Sequence, residues 1–598
     1  MLSKRTGLAS TALTAGLALA LAACGGGSDN NSSDSPSSSG GGQQQVAKGG
    51  VLKVLGEDDN PTVDTADAYD TNSYSVLRTI SRQLYSNPSG NSTEARVENV
   101  PDIADGAPAL SNGDKTYTIK IKQGVKWNTT PARQITAQDA VRGLKFTCNP
   151  TSPFGAIGYY TDTIAGMKEF CDGFANVAQD DVAAIKSYTE DTQVSGIKAV
   201  DDSTLQIDLK SSAADFIHLL TLPTVSPRAI EALNYVIDSP ESKQNIIESG
   251  PYQIATYVPD KSYVLTRNPA WDAKTDTLRQ ANVDEIDITL GLDQAGIQQQ
   301  IAAGTADMGL GNEPPPATDV ATLSRNNDPQ LHFSPTGGQN PYMVVNMVGP
   351  NEALKKPEVR QALQYAINKR NIVQVVGGSK VAEATGQIFS ESVVGEGFEK
   401  QDMYKTTDFQ ADPEKAKALL AKAGYPNGLT LVMAFRNSAN GPKIADTIVQ
   451  DMKASGITIT PKPVPSRDFY SRFMQKPDIA KAGEWDISLP GWSPDWEGAA
   501  ERSFFTPLLD GRVYGEGSTN YGGYNNDAVN AAADKALATT DLAESAKQWN
   551  AIDKQIMTDA PWVPIFNQTQ ANYVSARLKN FQYAFGPSNG DYTNVGVQ

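Results

Sequence analysis

The sequence is poor in cysteine, histidine and positive charge, and each shortage excludes a class of protein. Its 598 residues include 3 cysteines and 2 histidines, and the formal net charge is -17. Because phosphate binding needs a basic surface, this charge argues against nucleic acid as a partner. His218 and His332 have no ligand spacing to the cysteines. We therefore predict neither a metal site nor a cofactor.

Motifs of catalytic centres are also absent. The chain has no Gly-x-Ser-x-Gly elbow and no His-Glu-x-x-His, and two histidines offer little for a Ser-His triad. Gly377 to Lys380 lacks the spacing of a phosphate loop. The body has no internal repeat, which speaks against a purely structural lipoprotein. We expect a protein that is not an enzyme, although a carboxylate-pair hydrolase would leave no such motif.

The N-terminus has the features of an export signal. The apolar stretch Gly7 to Ala23 follows two basic residues and is short and alanine-rich. It ends in Leu-Ala-Ala-Cys-Gly, which resembles a bacterial lipobox and would make Cys24 the lipidated mature N-terminus. An ordinary signal peptide with an incidental cysteine is the alternative. We predict a signal peptide over residues 1–23 and, because residues 24–48 have little to bury, a flexible tether at the outer face of the cell membrane.

Two cysteines remain after Cys24. In an exported protein, Cys148 and Cys171 are expected to form one disulfide, which would staple the loop between them. A metal pair is the alternative, without histidines at ligand spacing.

The body after the tether is far longer than one ordinary domain, so at least two lobes should share it. Alternating residues predict strands in its first half, and Asn112-Gly113 predicts a turn. These strands run over Val51 to Leu55, Thr116 to Ile121, Leu205 to Leu209, Tyr252 to Thr256, Tyr263 to Arg267 and Ile286 to Leu290. Helical spacing predicts one helix over Ser73 to Tyr85, and Thr136 is the expected N-cap of another.

From Pro357 onward, helices and strands alternate. Predicted helices cover Val359 to Ile367, Pro413 to Ala423, Lys443 to Lys453 and Asp541 to Thr558, and predicted strands cover Leu429 to Phe435, Ile457 to Pro461 and Trp562 to Phe566. This alternation indicates an α/β lobe with mostly parallel pairing. One ligand site between two lobes is the architecture that these patterns favour.

Several blocks, in order along the chain, carry the most specific pattern. They are Tyr117 to Trp127 with Thr136 to Val141, Gly250 to Tyr252, Thr266 to Trp271, Val359 to Leu363 with Ala366 to Lys369, Asp412 to Lys417, and Ala423 to Pro426. Together they resemble extracellular solute-binding protein family 5, the oligopeptide- and dipeptide-binding receptors of ABC transporters. Most of these blocks are expected to be scaffold.

The resemblance implies a two-lobed periplasmic-binding-protein-like α/β fold of type II, with an extra β-rich subdomain inserted in the first lobe. Lobe I would comprise residues 49–99, 246–335 and a return segment at 563–598. The inserted subdomain would cover 100–245, and lobe II would cover 336–562. The cysteine pair is not a general feature of the family.

The segment Trp485 to Trp496 carries the main candidate for ligand contact. A strand runs into a Gly-Trp turn that presents Asp495 between Trp492 and Trp496. It is similar to the family's Gly-Trp-x-x-Asp element, which implies that Asp495 accepts the ligand's α-ammonium group and that the indoles contact its side chains. A carboxylate suits that task because a buried ammonium needs a charged partner. The alternative is a surface turn with Asp495 as a cap and the tryptophans in the core.

Arg436 follows the strand Leu429 to Phe435 and precedes a polar loop. Its placement is similar to an arginine that receives the peptide carboxylate in the dipeptide binders, where the planar fork binds bidentately. With Asp495 on the opposite side, Arg436 would bind the other charged end of the same peptide, so that the distance between the two residues would favour short peptides. The alternative is a solvated arginine.

Weaker candidates lie beyond other strands. Gly56 and Glu57 after the first strand, and Tyr74 on the next helix, would meet the ligand when the lobes close, since carboxyl ends of strands line such clefts. Asn346 follows the strand Tyr342 to Val345 and is given the same role, with a turn as the alternative.

The resemblance thus implies a monomeric substrate-binding lipoprotein that captures short peptides and delivers them to an ABC permease. Hinge closure would occur at the chain crossings near residues 334–345 and 562–573. The same scaffold binding an oligosaccharide, opine or metal chelate is the main alternative.

Overall fold

The computed structural model describes residues 46–598, apart from 58, 60, 61, 312, 336, 438, 439, 516 and 585–588. Residues Val46–Gln598 form one compact unit. The predicted signal peptide, Cys24 and nearly all of the predicted tether lie outside the described residues. Within the described part of the chain, no helix has both the length and the apolar character needed to cross a membrane.

A five-stranded sheet forms the first lobe. Its order is Tyr252–Val258, Ser262–Arg267, Glu285–Thr289, Val51–Leu55 and Met308–Gly309. The last three strands are parallel, and the first two form the predicted antiparallel hairpin. The helices of this lobe are Thr71–Ile80, Thr93–Arg96, Gln294–Ala302 and Ala317–Arg325.

The insertion is built on an antiparallel sheet of Ala109–Ser111, Thr116–Lys120, Thr204–Asp208 and Ile197–Asp201. Thr136 and Asp139 form a reciprocal capping box at the start of Ala137–Phe146, which confirms the predicted helix entry. Further helices are Gly158–Thr161, Met167–Phe174, Val182–Asp191, Phe216–Leu219 and Pro240–Gln244. Helices therefore cover more of the insertion than its sequence patterns indicate.

A second five-stranded sheet forms the second lobe, in the order Ile457–Pro465, Leu429–Asn437, Ile487–Leu489, Met343–Val345 and Trp562–Val563. Its first three strands are parallel, as predicted, and the last two pair antiparallel. Its helices are Pro357–Ala366, Lys369–Val376, Glu391–Val394, Pro413–Lys422, Gly441–Met452, Pro477–Lys481, Glu501–Leu508, Asp527–Leu537 and Leu542–Asp559. The predicted helices and the predicted strands Leu429 to Phe435 and Ile457 to Pro461 are thus confirmed, with ends displaced by a few residues.

The chain crosses between the two sheets in paired strands. Leu331–Phe333 pairs with Ala571–Tyr573, and Ala382–Ala384 pairs with Phe566–Gln568. The predicted strand over Trp562 to Phe566 is interrupted, because Pro564 separates a strand of the second sheet from a crossing strand. Short pairs elsewhere join Tyr85–Ser86 to Val100–Pro101, Lys126–Trp127 to Arg133–Gln134, Leu578–Lys579 to Gly596–Val597, and Tyr583–Ala584 to Asn589–Gly590.

Three large apolar clusters stabilise this architecture. One lies against the first sheet and a second against one face of the second sheet. The third runs from the insertion, including Ile119 and Phe170, to Phe504 and Trp562 beside the other face of the second sheet. The insertion therefore packs directly against the second lobe.

The helix predicted over Ser73 to Tyr85 is wrong at its end, because the helix stops at Ile80 and Ser81 adopts an extended conformation. Ile80 belongs to the core of the first sheet, whereas Leu84 and Tyr85 belong to the cluster of the insertion. Their helical spacing thus reflects two separate cores.

Cys148 and Cys171 are joined in the structure, with their Cα atoms 5.2 Å apart. Cys148 lies two residues beyond the helix Ala137–Phe146, and Cys171 lies on Met167–Phe174.

Candidate ligand-binding site

A cleft of about 410 Å³ lies where the parallel strands of the two sheets end. Glu57 follows the first strand of lobe I, and Arg436 and Leu489 lie at the ends of two strands of lobe II. Neutral polar side chains complete much of the lining, among them Gln294, Asn340, Asn440, Tyr470, Gln568 and Gln570. Carboxyl ends of parallel strands commonly form ligand sites, and this one is polar on both sides.

Gly56 and Glu57 occupy the first-lobe side. The backbone N–H of Glu57 donates to Oε1 of Glu313 at 2.9 Å, while the Glu57 side chain is exposed on the cleft. Gly56 donates its N–H to the Thr289 carbonyl, and a Cβ there would lie 2.9 Å from Leu290 Cδ2. Gly56 therefore allows the strand to exit, and Glu57 is the side chain that faces the cleft.

Arg436 occupies the second-lobe side. It is half-buried near the end of Leu429–Asn437, one residue beyond Phe435, which pairs in parallel register with Leu489. Arg436 and the segment after Leu489 therefore leave the second sheet at the same edge.

Asp495 is buried where three parts of the chain meet. The hydroxyl of Tyr69 donates to its Oδ2 at 2.9 Å, and the hydroxyl of Tyr159 donates to the same oxygen at 2.6 Å. Tyr69 precedes the first helix, Tyr159 belongs to the insertion, and Asp495 follows the strand Ile487–Leu489. Among the described residues, no cation pairs with Asp495 and no donor bonds its Oδ1.

Burial raises the pKa of Asp495 from 3.8 to about 6, and the two tyrosine hydroxyls oppose part of that rise by hydrogen bonding to the charged form. Burial and the Asp495 charge raise the pKa values of Tyr69 and Tyr159 well above 10. Both hydroxyls thus remain donors at physiological pH.

The Asp495 segment reaches the cleft through Gly491. The Gly491 N–H donates to the hydroxyl of Tyr470 at 3.1 Å, and Tyr470 lines the cleft. Asp495 itself is not among the residues that line the cleft. The structure therefore does not bring Asp495 and Arg436 into one open surface.

The two tryptophans differ. Trp496 is 1% exposed, packs edge-to-face on Tyr159 and donates from Nε1 to the Ala499 carbonyl. Trp492 is half-buried and donates from Nε1 to the Ser503 carbonyl. Trp496 therefore supports the tyrosines, and Trp492 keeps an accessible part.

Tyr74 lies on the helix Thr71–Ile80 and is buried. Burial raises the pKa of its hydroxyl most, and the nearby charge of Asp495 raises it further.

Asn346 lies away from Asp495 and from the cleft lining. Its amide nitrogen donates to the carbonyls of Ala480 and Trp485, and its oxygen accepts from Val348 and Gly349. With its amide fully engaged in this turn, Asn346 has no capacity left for a ligand.

Sequence reasoning missed Tyr69, Tyr159 and the cleft amides. Tyr69 is 426 residues and Tyr159 is 336 residues from Asp495. Tyr69 lies in the irregular segment before the first helix and Tyr159 on the four-residue helix Gly158–Thr161, neither with a sequence motif, and we see no local signal that would have identified them.

The model of the bacterial extracellular solute-binding proteins, family 5 (middle), matches residues 98–512, well over half of the chain. The chain belongs to this family. The match covers the insertion, the Arg436 strand and the Asp495 segment.

Named relatives of this family 5 protein are binding proteins. Heme-binding protein A of Haemophilus influenzae is 26% identical over 494 residues, 80% of this chain and 81% of that protein. Glutathione-binding protein GsiB of Escherichia coli is 26% identical over 532 residues, 87% of this chain and 88% of that protein.

Solved structures share the fold of this family 5 protein. The clavulanic acid biosynthesis oligopeptide binding protein 2 has a TM-score of 0.80 at 24% identity, covering 92% of this chain and 96% of that one. The murein tripeptide binding protein MppA of Escherichia coli has a TM-score of 0.72 at 21% identity, covering 93% and 99%. The predicted two-lobed fold is thereby confirmed.

Among the described residues, no group of three or more His, Cys, Asp or Glu side chains is arranged to hold a metal ion.

Proposed function

We propose that this family 5 protein is the substrate-binding component of an ABC importer and that it captures short peptides with a free N-terminus. Asp495 accepts the α-ammonium group, and Arg436 receives the carboxylate. Glu57 and Trp492 contact the rest of the ligand from opposite lobes, and Tyr74 lies beside the ammonium site.

The observation that carries the proposal is the buried carboxylate of Asp495 without a cation among the described residues. An uncompensated buried charge is costly, and a ligand cation can compensate it where the segment reaches the cleft. Glu248 and Glu501 are also buried without a cation among the described residues, so the burial of Asp495 counts because its segment reaches the cleft at Gly491. Two other nearby carboxylates are already paired: Glu497 with Arg96 at 2.9 Å, and Asp215 with Arg502 at 2.6 Å. A ligand ammonium would give Asp495 the partner that these groups already have.

The cleft supports a small polar ligand. Its volume of about 410 Å³ lies within the usual range of small-molecule sites, and its amides suit the N–H and C=O groups of a peptide backbone. Three of the similar proteins are named for peptide-like molecules, namely glutathione, a murein tripeptide and oligopeptides, and one is named for heme. Arg436 is the cation on the second-lobe side of this cleft.

The rest of the proposed mechanism concerns delivery. The lobes close about the crossing strands, and the closed form docks on the permease. The monomer is exported, its lipidated Cys24 holds it at the outer face of the cell membrane, and the Cys148–Cys171 bond staples the insertion. The protein performs no chemical step.

Isothermal titration calorimetry at pH 7.5 tests both charged contacts with tri-alanine, its N-acetyl derivative and its C-terminal amide. N-acetylation should cost the wild type about 2 kcal/mol or more, roughly 30-fold in Kd, because it removes the ammonium. It should cost Asp495→Asn little, since that variant has lost the charged partner. Amidation should show the corresponding pattern with Arg436→Gln.

Arg472→Gln is the matched control, because Arg472 is 75% exposed and pairs with Asp468. Thermal shift with di-, tri- and pentapeptides, glutathione and cello-oligosaccharides extends the test. A rise in melting temperature with sugars alone, unaffected by Asp495→Asn, would replace the peptide assignment with a saccharide receptor.

A further inference from the structure

The hydrogen bonds to Asp495 are unequally distributed between its two oxygens. Tyr69 and Tyr159 both donate to Oδ2, whereas Oδ1 receives no hydrogen bond from the described residues. Two donors on one oxygen use both of its lone pairs and leave Oδ1 as the acceptor for an incoming donor.

Both tyrosine rings are themselves held in place. Tyr69 packs edge-to-face on Phe154, with ring centroids 4.8 Å apart, and Tyr159 packs edge-to-face on Trp496 at 5.6 Å. Gly155 makes room for the first contact, since a Cβ there would lie 2.9 Å from Cδ1 of Tyr69. The hydroxyls are therefore directed by packing.

We propose that Tyr69 and Tyr159 are positioning residues of the ligand site, which occupy Oδ2 of Asp495, keep the carboxylate ionised and orient Oδ1 toward the ligand's ammonium group. The hydroxyl pair is complete only when the first lobe and the insertion both reach the Asp495 segment. The site for the ammonium group is therefore complete only in the closed form of the protein. This inference rests on the proposed function, because it assigns Asp495 to an ammonium.

The titration of Asp495 can be measured because the tyrosines packed around it do not change charge in the same pH range. The titratable side chains that act on Asp495 from the packed elements are Tyr69, Tyr74, Tyr159 and Tyr160, all with pKa values well above 10. They are neutral at working pH. Beyond them, His218 stacks on Trp496, and Glu497 is paired with Arg96.

Tyr160 offers a matched control. It is fully buried beside Tyr159, but its hydroxyl donates to the Leu219 carbonyl at 2.9 Å and not to Asp495. Tyr160→Phe therefore removes a buried tyrosine hydroxyl without touching the carboxylate.

The first experiment measures the Kd of tri-alanine between pH 5 and 8 for the wild type, Tyr69→Phe, Tyr159→Phe and Tyr160→Phe. Tyr69→Phe and Tyr159→Phe should each weaken tri-alanine binding about tenfold at neutral pH, because each loses one hydrogen bond to a charged group. Each should also move the pH midpoint of binding upward by about one unit, because the carboxylate loses a donor that favours its charged form. Tyr160→Phe should leave the midpoint unchanged.

The second experiment needs no ligand. The difference in melting temperature between each protein and its own Asp495→Asn derivative is followed over the same pH range, which isolates the titration of Asp495. Its midpoint should rise in Tyr69→Phe and Tyr159→Phe and stay in place in Tyr160→Phe. Unmoved midpoints in both tyrosine variants overturn the inference. If tri-alanine fails to bind the wild type, the proposed function fails, while the ligand-free midpoints still decide whether the hydroxyls hold the carboxylate.

Discussion

A single carboxylate, that of Asp495, carries most of the chemistry attributed to this protein. It was identified from the Gly-Trp-x-x-Asp element, because that pattern is local in sequence. The two hydroxyls that bond it come from residues hundreds of positions away, and no local pattern reports such a contact. Sequence reasoning therefore reaches Asp495 and misses the two hydroxyls that donate to it.

Ligand binding should depend on pH through Asp495. Burial raises its pKa to about 6, so the carboxylate is ionised above that pH and neutral below it. Since the contact needs both the ionised carboxylate and the ligand's ammonium group, tri-alanine affinity should be highest near pH 7 and fall toward tenfold per pH unit below pH 6. It should also decline near pH 8 and above, because the ligand's own α-amino group, with a pKa of about 8, loses its proton there. Titration calorimetry from pH 4.5 to 8 measures this. N-acetyl tri-alanine should show no such dependence, and a flat profile for tri-alanine itself would contradict the assignment.

Whereas tri-alanine affinity should fall as the pH drops below 6, the stability of the ligand-free protein should rise. The folded protein holds the Asp495 proton more tightly than the unfolded chain, whose carboxyl titrates near 3.8. The cost of burying the charge, up to about 3 kcal/mol, is therefore present above pH 6 and relieved as the pH falls below it. Asp495→Asn should melt at or above the wild-type temperature at pH 7.5.

At the scale of elements, the strands and helices with a regular apolar period were predictable. Thr116–Lys120 alternates strictly, and Pro413–Lys422 has a proline at its first turn and Asp412 as its N-cap. The helices of the insertion were less visible because they are short. Leu84 and Tyr85 were misassigned because spacing reports that a residue is buried but not in which core.

Gly338 accepts a hydrogen bond from Gln568 of a crossing strand and also lies in backbone contact with the Gly-Trp turn. A Cβ at this position would overlap the carbonyl oxygen of Trp492, and that neighbour is backbone and cannot rotate away. Gly338→Ala should therefore lower stability by about 1–3 kcal/mol and weaken tri-alanine binding by displacing the turn that leads to Asp495. Thermal unfolding and calorimetry measure both.

Gly515→Ala is the matched control, because a Cβ at Gly515 meets nothing within 4 Å. It should leave stability and affinity close to wild type. A Gly338→Ala protein that binds tri-alanine normally would show that the turn does not need this contact.

At the scale of the molecule, buried ion pairs tie the second lobe to the rest of the chain. Arg502, on Glu501–Leu508, donates to both oxygens of Asp215 at 2.6 and 2.9 Å and to the Thr163 hydroxyl at 2.7 Å. Arg96 of the first lobe pairs with Glu497. Two lobes could be inferred from the chain length and the alternating patterns. These ion pairs could not be predicted, because they join segments that lie far apart in the sequence.

Removing one partner of the Arg502–Asp215 pair should favour an open form. Asp215 and Thr163 belong to the insertion, whereas the helix of Arg502 packs beside the second sheet through Phe504, which stacks on Trp562. Arg502→Gln would leave Asp215 buried without a cation, at a cost of about 3–5 kcal/mol that opening relieves by solvating the carboxylate. We expect a larger radius of gyration in solution X-ray scattering and weaker tri-alanine binding.

The double variant Arg502→Gln with Asp215→Asn should recover much of both properties, since it leaves no unpaired charge in the interface. Arg512→Gln is the control, because Arg512 is about half exposed and its pairs with Asp510 and Asp534 lie within the second lobe. If the single variant scatters like the wild type while its melting temperature falls, the pair stabilises the fold without holding the lobes together. If the double variant is as open as the single one, the guanidinium acts through its bond to Thr163 and not by neutralising Asp215.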